Sequence, residues 1–399
     1  MHVSLKVIRG PHLGEEFVFE EHASFVVGRH RDTEFHLSQR DARLSRFHFY
    51  IEVKPPHCVL VDLKSTNHTY VNNEPVAWVK LKGGDVIRAG GTSLLVTIAA
   101  GASPARLPTV PARTDGRLPT IPHYRLERML GEGATGTVYL AEDERDGSLA
   151  AVKIISATIA NDEKSSARVE REAEMLHKLD YHPNIISLYE FGKANRLLYI
   201  VMEYVEGSDA AQLIINRGVL EVGAAVDVVC QVLDALSHAH RAGIVHRDVK
   251  PNNLLVTERG KRKLIKLGDF GLARIYHDSS LSGLTVEGDI RGTIGFLPPE
   301  QIHNSRDVGP RADQYGAAAS LYWLLTGQCV YDFPDDPQEC LRLVFTEKAR
   351  PIRDLRRDLS ADLAELIDRG LSREPAERFR DAAAMRDALL PWAAHQGTL

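Results

Sequence analysis

The range Val245–Asn253 carries an aspartate, a lysine and an asparagine at fixed spacing, in the order Val-His-Arg-Asp-Val-Lys-Pro-Asn-Asn. Asp248 could accept the proton of an attacking hydroxyl group, and Asn253 could supply an oxygen to a divalent cation. Lys250 could neutralise charge that builds up on a phosphoryl group during its transfer, because that transition state is loose and anionic. A chance match at all these positions is improbable, so the range predicts phosphoryl-transfer chemistry.

A second short motif, Gly268–Gly271, reads Gly-Asp-Phe-Gly and follows the apolar range Leu264–Leu267. The Asp269 carboxylate is a hard oxygen ligand of the kind that Mg²⁺ prefers. The motif is weak by itself, but it comes soon after Asp248 and Asn253 in the chain. Together with Asn253 it predicts a Mg²⁺ site.

Glycines recur in the range Gly131–Val138, which reads Gly-Glu-Gly-Ala-Thr-Gly-Thr-Val. Glycines allow a hairpin to fold closely over phosphates and to offer them backbone N–H donors. Two alternatives are a glycine hairpin without a ligand and a dinucleotide-binding loop. A dinucleotide loop should open a helix, whereas the range Val138–Leu140 continues as a strand.

The apolar range Ala150–Lys153 ends in a lysine, and burial of an unpaired ammonium group is costly. Lys153 therefore needs an anionic partner. We predict an ion pair with Glu172, which lies in the next helical segment, and a role for Lys153 in binding the α- and β-phosphates. The alternative is an exposed lysine and a solvated helix face, where Glu170 and Glu174 compete with Glu172.

Three short motifs fall between strands near the N-terminus: Gly28-Arg29, Ser45–His48 and Ser65–Asn72. Arg29 can grip a phosphate with its planar fork of donors. Ser45 and Thr66 can add hydroxyl or backbone donors, and Asn67 can bind a peptide backbone. The alternative is that each motif contains turn residues that cap a strand.

The surrounding patterns indicate a multidomain chain. Residues 1–100 show short alternating strands with regular turns, which predict an all-β sandwich. Residues 101–122 are rich in Pro, Ala and Thr and read as a linker. Residues 123–393 begin with strands and continue with helices predicted at Ser165–Leu179, Val222–Ala242, Ala312–Thr326, Leu359–Leu371 and Asp381–Ala394.

Composition is that of a soluble globular protein, with 44% hydrophobic and 26% charged residues and a net charge of -5. The acidic excess lies after residue 122, so we expect neither nucleic acid nor membrane as a partner. The four cysteines form no C-x-x-C pair, and we expect them to be reduced. No signal peptide and no run of membrane-spanning length is apparent, so we expect a cytoplasmic protein.

The range from Tyr124 to Trp392 resembles the protein kinase domain of the eukaryotic-like family, and within it the bacterial serine/threonine kinases. His246–Asn253 and Gly292–Gln301 carry this resemblance. It implies an α+β bilobal fold, with an N-lobe of about 123–204 and a C-lobe of about 205–393. It also implies ATP with Mg²⁺, or alternatively Mn²⁺, as cofactors. The residues assigned to ATP binding are Gly131, Glu132, Gly133, Ala134, Gly136, Val138, Ala151, Lys153, Met202, Glu203 and Val205.

The kinase resemblance also implies roles in and around catalysis. It assigns catalysis to Asp248, Lys250, Lys153 and Glu172, metal binding to Asn253 and Asp269, and the acceptor site to Thr293. Asp313 resembles the aspartate that ties down the His246-Arg247 backbone, and Glu300 with Arg378 resembles the pair that anchors the activation segment. Thr285 is the favoured autophosphorylation site. The departures Pro298–Glu300 and Ala150–Lys153 from the usual A-P-E and V-A-I-K motifs remove no catalytic group.

Residues from about 3 to 98 resemble the forkhead-associated (FHA) domain, through the three N-terminal motifs described above. The resemblance implies that phosphothreonine and its peptide are bound by Arg29, Ser45, Arg46, Thr66 and Asn67. Gly28 and His48 support the loops. One departure is His68, which stands where the family usually has glycine and is strained if φ is positive.

The combined expectation is a serine/threonine protein kinase that transfers the γ-phosphoryl group of ATP to proteins and docks phosphothreonine partners. The docked partner could be its own linker, where Thr109, Thr114 and Thr120 are candidate sites. One alternative is a catalytically weak kinase-fold scaffold whose main role is phosphopeptide binding. Another, a small-molecule phosphotransferase, is disfavoured by the long segment up to Thr293.

Overall fold

The computed structural model has two compact units. One contains the described residues within Met1–Leu107, His277–Val308 and Tyr331–Ala349, and the other those within Pro108–Tyr276, Gly309–Val330 and Arg350–Leu399. The structure describes residues 2–20, 23–29, 41, 43–99, 118–133, 136–156, 160, 163–194, 197–259, 262–270, 294–303, 308–334 and 336–394.

The predicted N-terminal sandwich is confirmed. Its strands are β1 (His2–Arg9), β2 (Glu16–Phe19), β3 (Ala23–Val27), β4 (Phe49–Lys54), β5 (His57–Asp62), β6 (Thr69–Val71), β7 (Glu74–Val76), β8 (Trp78–Lys80), β9 (Val86–Ala89) and β10 (Thr92–Ala99). They form two antiparallel sheets of order β2-β1-β10-β9-β6-β7 and β3-β4-β5-β8. Val3, Leu5 and Val7 show why β1 is a strand, because alternate side chains enter the core between the sheets.

The same unit contains two helices from the C-terminal part of the chain. They are α4 (Pro299–His303) and α6 (Pro337–Thr346). The sandwich therefore shares a packed unit with segments that are distant in sequence.

The second unit starts with a five-stranded antiparallel sheet of order β11-β12-β13-β15-β14. Its strands are β11 (Tyr124–Gly133), β12 (Gly136–Asp143), β13 (Leu149–Ile155), β14 (Leu188–Ala194) and β15 (Leu197–Glu203). Helix α1 (Glu163–His177) packs against β14 and matches the helix predicted at Ser165–Leu179. This is the β-rich part expected from the sequence.

The rest of the second unit is mainly helical, as predicted. Its elements are β16 (Ser208–Asp209), α2 (Ala210–Arg217), α3 (Val222–Arg241), β17 (Leu254–Arg259), β18 (Arg262–Leu267), α5 (Arg311–Thr326), α7 (Ala361–Gly370) and α8 (Ala382–Leu389). The last helix ends earlier than expected, because Pro391 cannot continue it and Leu390–Trp392 forms a short 3-10 turn.

Helix α3 is the centre of this helical part and packs against α5 and α8. In the part of the chain that the structure describes, it is the helix whose length and composition would allow it to cross a membrane. More than half of that apolar stretch is buried inside the unit. Its apolar character is thus accounted for by the core that it forms.

Candidate functional site

The loop that contains Asp248 is held by a buried carboxylate at the start of α5. Asp313, 1% exposed, accepts hydrogen bonds from the backbone N–H of His246 at 2.9 Å and of Arg247 at 2.7 Å. Arg247 has φ of 68°, a conformation that is costly for a residue other than glycine. The carboxylate therefore holds a strained backbone and fixes where the next residue, Asp248, stands.

His246 joins this loop to the end of β18. Its Nδ1 accepts from the backbone N–H of Asp248 at 3.2 Å, so the ring proton lies on Nε2, which donates to Gly268 O at 2.8 Å. The ring is fully buried and packs edge-on against Phe270, with 4.4 Å between centroids. The loop of Asp248 and the turn of Asp269 are thereby fixed to each other.

Three of the predicted residues meet at the Asp248 carboxylate. Lys250 Nζ lies 2.9 Å from Asp248 Oδ2, and Asn253 Nδ2 donates to the same oxygen at 2.9 Å and to Asp248 O at 2.7 Å. Asn253 is 8% exposed and ends the 3-10 turn Pro251–Asn253. Since the amide nitrogen of Asn253 faces Asp248, its carbonyl oxygen is left as an oxygen ligand for a hard cation.

Lys153 lies beside an acid that the sequence analysis did not pair with it. Its ammonium group, on a side chain 3% exposed, lies 2.8 Å from Asp269 Oδ1. Glu172 borders a small hollow between α1 and the segment before Asp248, together with Leu176 and Arg247. The Lys153–Asp269 pair supplies the anion that a buried ammonium group needs, and the Lys153–Glu172 pair stays a prediction.

Asp269 has a strained backbone conformation, and nearby cations stabilise its charged carboxylate. Its φ is 58°. Desolvation raises the pKa of Asp269, but Lys153, then His246 and Lys250, lower it below the ordinary value of an aspartate. The side chain keeps 42% exposure, so solvent screens part of this attraction. Asp269 therefore remains ionised at neutral pH and can act as an oxygen ligand.

The glycine hairpin is formed by β11 and β12, and Ala134 and Thr135 at its tip lie outside the described residues. Gly133 pairs with Gly136, whose φ is 149° and whose Cβ, if added, would lie 2.0 Å from Ile154 O. Only glycine fits there. Val138 of the same hairpin stands opposite Lys153 in the sheet, so the hairpin lies directly beside the lysine.

A buried lysine that the sequence analysis did not single out holds Glu203 at the end of β15. Lys266, 5% exposed, binds Glu203 Oε2 at 2.7 Å, and the same carboxylate accepts from Ser187 N at 3.2 Å. The Glu203 side chain thus anchors the strand end, and only its backbone is left for a ligand. A lysine within the apolar range Leu264–Leu267 was the available signal, because a buried ammonium group needs an anion.

The remaining predicted residues of this part are distributed as follows. Met202 and Asp269 border one cavity, which Phe270 and residues of α1 also line. Ala151 and Val152 lie buried in β13. Thr285 and Thr293 lie outside the described residues.

Glu300 and Arg378 belong to different compact units, and each is described within its own. Glu300 lies in the first turn of α4. Arg378, 1% exposed, donates to Arg311 O at 2.9 Å and Ser372 O at 2.8 Å. Its guanidinium also faces the Tyr315 ring, so the arginine ties the start of α5 to the segment before α8.

The structure brings the five N-terminal recognition residues to one set of loops. The Ser45 hydroxyl accepts from Thr66 N at 2.9 Å, and Asn67 Nδ2 donates to Arg43 O at 2.7 Å. Arg29 N donates to Ser45 O at 2.9 Å, and the side chains of Arg29 and Arg46 are exposed. Two exposed arginines and several hydrogen-bond donors thus belong to one set of loops, and groups of this kind can bind a phosphate.

Gly28 and His48 hold these loops. A Cβ at Gly28 would lie 2.1 Å from Arg46 O, so the backbone of the two loops can approach only because this residue is glycine. His48 Nδ1 accepts from Ser45 N at 3.0 Å, so Nε2 donates to His68 O at 3.3 Å. Burial lowers the pKa of His48 and favours this neutral ring. His68 itself has φ of 54°, the strained conformation that its position implied.

Asp62 shapes the same loops and was missed by the sequence analysis. Its Oδ1 accepts from the hydroxyl groups of Ser65 and Thr69, both at 2.6 Å, and its Oδ2 accepts from Ser65 N at 3.0 Å. The side chain is 6% exposed. An aspartate at the end of an apolar strand, followed by Ser and Thr, was the available signal.

Comparison with known proteins gives two family matches. A protein kinase domain model matches residues 124–390, and an FHA domain model matches residues 25–90. The serine/threonine-protein kinase pkn3 of Myxococcus xanthus is 38% identical over 272 residues, covering 67% of this chain and 49% of the relative. The chain thus spans less than two thirds of the length of this relative and of other bacterial kinases that it matches.

Two solved structures are also similar. The Mycobacterium tuberculosis PknI kinase domain has a TM-score of 0.53 and 31% identity, over 69% of this chain and 97% of that chain. Rad53 1-466, in complex with AMP-PNP, has a TM-score of 0.54 and 25% identity, over 98% of this chain and 100% of that chain.

Proposed function

Because the chain belongs to the protein kinase family, with an FHA domain on the N-terminal side of its kinase domain, we propose that it phosphorylates serine and threonine residues of proteins. The γ-phosphoryl group of ATP is the group transferred. The FHA domain docks phosphothreonine proteins, or the phosphorylated linker of the chain itself. Cytoplasmic location remains a prediction.

The observation that carries the catalytic proposal is the set of contacts at Asp248. The carboxylate of Asp248 lies within 2.9 Å of both Lys250 Nζ and Asn253 Nδ2. It is held there by the loop that Asp313 fixes. Asp248 orients the acceptor hydroxyl and receives its proton, and Lys250 neutralises charge on the phosphoryl oxygens in the transition state.

The ATP phosphates are expected between the glycine hairpin and Lys153. The hairpin supplies backbone N–H donors, and Lys153 supplies a cation on the neighbouring strand. Ala151, Met202 and the backbone of Glu203 and Val205 would enclose the adenine. The Lys153 ammonium group binds Asp269 here, and it would divide its contacts between Asp269 and the phosphates when nucleotide is present.

The donor set at the site fits a divalent cation, which we propose to be Mg²⁺. Asp269 offers carboxylate oxygens and Asn253 offers its amide carbonyl, because its nitrogen is directed at Asp248. When bound, the cation supplies positive charge that offsets the charge of the phosphate oxygens. Asn253 and Asp269 hold it, and His246 keeps their two turns together.

The direct test is phosphoryl transfer from labelled ATP with Mg²⁺ by dephosphorylated protein, with Asp248→Asn and Asp269→Asn beside it. We expect the wild-type chain to label serine or threonine, with Thr285 among the mapped sites, and both variants to be inactive. Asp248→Asn should unfold at a temperature close to that of wild type, which would show that chemistry was lost rather than the fold.

A silent wild-type chain would overturn the catalytic proposal. If it still bound ATP and phosphothreonine peptides, the scaffold alternative would take its place. A specific signal for the FHA domain is binding of a phosphothreonine peptide but not of the same peptide with unmodified threonine, and loss of that binding in Arg29→Ala.

A further inference from the structure

The FHA sandwich packs against two helices that lie within the kinase family match. The ring of Phe47 stacks on that of Phe345 in α6, with 6.1 Å between centroids and 27° between planes. Phe47 is 8% exposed and Phe345 is fully buried. In the same unit, Ser24 Oγ in β3 donates to Ile302 O of α4 at 3.2 Å.

An ion pair adds to this contact. Lys64 Nζ lies 2.6 Å from Glu339 Oε2 in the first turn of α6. The other oxygen of Glu339 binds Arg342 at 2.5 Å. Arg342, and after it Lys64, lower the pKa of Glu339 to about 2, against a smaller desolvation effect, so the carboxylate is charged at neutral pH. We call the contacts of Phe47 and Lys64 with α6 the α6 clamp.

The α6 clamp uses the same loops as the phosphothreonine site. Phe47 directly follows Arg46, and Lys64 directly precedes Ser65 and Thr66. Lys64 has φ of 52°, and the Asp62 network fixes the backbone just after it. Arg46 therefore lies one residue from Phe47, and Thr66 lies two residues from Lys64, so a loop movement at the phosphothreonine site acts directly on the clamp.

Charge sets the direction of the coupling. A phosphothreonine brings about −1.5 to −2 charges to these loops at neutral pH. That charge attracts the Lys64 ammonium and repels the Glu339 carboxylate, so it weakens the pair that holds α6. By reciprocity, an intact clamp weakens phosphopeptide binding by the same factor.

The position of α4 suggests the consequence for catalysis. Helix α4 begins six residues after Thr293, which the kinase resemblance assigns to the acceptor site. The sandwich contact at Ile302 therefore holds the chain nine residues after Thr293.

We propose that the unliganded FHA domain restrains α4 and α6 of its own kinase domain, and that a phosphothreonine peptide releases them. The α6 clamp is thus an autoinhibitory contact that rests on the proposed function of both domains. Its ligand is the phosphothreonine peptide itself, and its output is faster phosphorylation of protein acceptors.

The test uses the dephosphorylated full-length chain and the best-binding member of a phosphothreonine peptide library. We expect this peptide to increase phosphorylation of myelin basic protein and to increase hydrogen exchange of the α6 amides. The unphosphorylated peptide should do neither. The inference would be overturned if the peptide left hydrogen exchange in α6 unchanged or slowed it. It would also be overturned if the peptide left phosphorylation unchanged or slowed it.

The matched variants are Glu339→Gln, which removes the charge that Lys64 binds, and Lys80→Gln, which removes an exposed lysine from β8 of the same sandwich. Glu339→Gln should tighten peptide binding by about twofold to fivefold, the range expected for a partly exposed ion pair. It should raise protein phosphorylation without peptide and reduce the further increase that the peptide causes. Lys80→Gln should leave unchanged the peptide affinity, the phosphorylation without peptide and the increase that the peptide causes.

Failure of this inference is distinguishable from failure of the proposed function. If Glu339→Gln binds peptide and phosphorylates acceptors like wild type, the coupling is wrong, while binding and catalysis stand. If no library peptide binds, or if no acceptor is labelled, the function of the FHA domain or of the kinase domain is wrong, and the coupling falls with it.

Discussion

The carboxylate of Asp313 accepts hydrogen bonds from both backbone N–H groups that precede the candidate catalytic base, and it also lies 2.7 Å from His240 Nε2. One side chain therefore determines the conformation of the loop that carries Asp248. The strained φ of Arg247 persists because this carboxylate stabilises it.

Asp313→Asn should misplace the catalytic loop, because one of the two accepting oxygens is replaced by an NH₂ donor. We expect kcat to fall by roughly 10- to 100-fold, as for small displacements of a reacting group, with little change in KM for ATP. Asp362→Asn is the matched control, since Asp362 is an exposed aspartate in the first turn of α7. Equal kcat in the two variants would contradict this role of Asp313.

The stability of the kinase domain should depend on Asp313 at acid pH. Burial raises the pKa of Asp313, but His240, His246 and the Arg247 N–H lower it below its ordinary value. A lowered folded-state pKa gives stability that is complete above the unfolded value of about 4 and is lost as pH falls through the folded value. Urea unfolding from pH 7 to 3 should therefore show a smaller acid-induced loss in Asp313→Asn than in wild type. Parallel curves would contradict the assignment.

Replacing Glu203 should lower the free energy of unfolding more than replacing Lys266, its partner in a buried ion pair. The Lys266 side chain is 6% exposed and that of Glu203 is 23% exposed. Glu203→Ala leaves a buried ammonium without its anion and should cost about 3–5 kcal/mol of unfolding free energy. Lys266→Met fills the same space with an apolar chain and leaves a carboxylate that water can reach, so we expect about 1–2 kcal/mol. Urea denaturation of both variants measures the difference, and equal losses would count against it.

Gly28→Ala should disrupt the phosphothreonine site through the backbone. A Cβ at this position would lie 2.1 Å from Arg46 O, so the two loops must move apart. We expect a loss of roughly 1–3 kcal/mol of stability and at least about tenfold weaker phosphopeptide binding. Gly83→Ala is the control within the same sandwich, because its nearest neighbour would be Ile98 N at 3.4 Å, an ordinary contact. Isothermal titration and thermal unfolding measure both effects, and a well-folded Gly28→Ala that binds normally would refute this account.

Ser45→Ala should weaken phosphopeptide binding without unfolding the sandwich. The Ser45 hydroxyl accepts from Thr66 N at 2.9 Å and contacts the Thr66 hydroxyl at 3.4 Å, so its removal frees the loop that Thr66 belongs to. We expect an affinity loss of about fivefold to tenfold, the usual effect of one hydrogen bond. Ser4→Ala, on β1, is a control that removes a hydroxyl and its hydrogen bond to Glu16 from the same sandwich but not from the recognition loops. Loss of the same size in both variants would show that the effect is not specific to the site.

Much of the fold and of the catalytic loop could be predicted from sequence. The short alternating strands of residues 1–100 and the turns between them predict the sandwich, and the FHA and kinase expectations are confirmed by the family matches. The groups that meet at Asp248 lie within five residues of one another, so their short spacing makes contacts with Lys250 and Asn253 predictable, although Asp313 fixes the backbone of the loop.

Tertiary structure decided the long-range partners. Packing brings Lys153 to within 2.8 Å of Asp269 at the turn after β18, although the two residues lie far apart in sequence. Neither the Lys266–Glu203 pair nor the α6 clamp could be predicted, because each joins segments whose separation in sequence carries no information about distance. A motif specifies which groups can react, but a charged side chain binds the opposite charge that packing brings nearest, and packing depends on the whole chain.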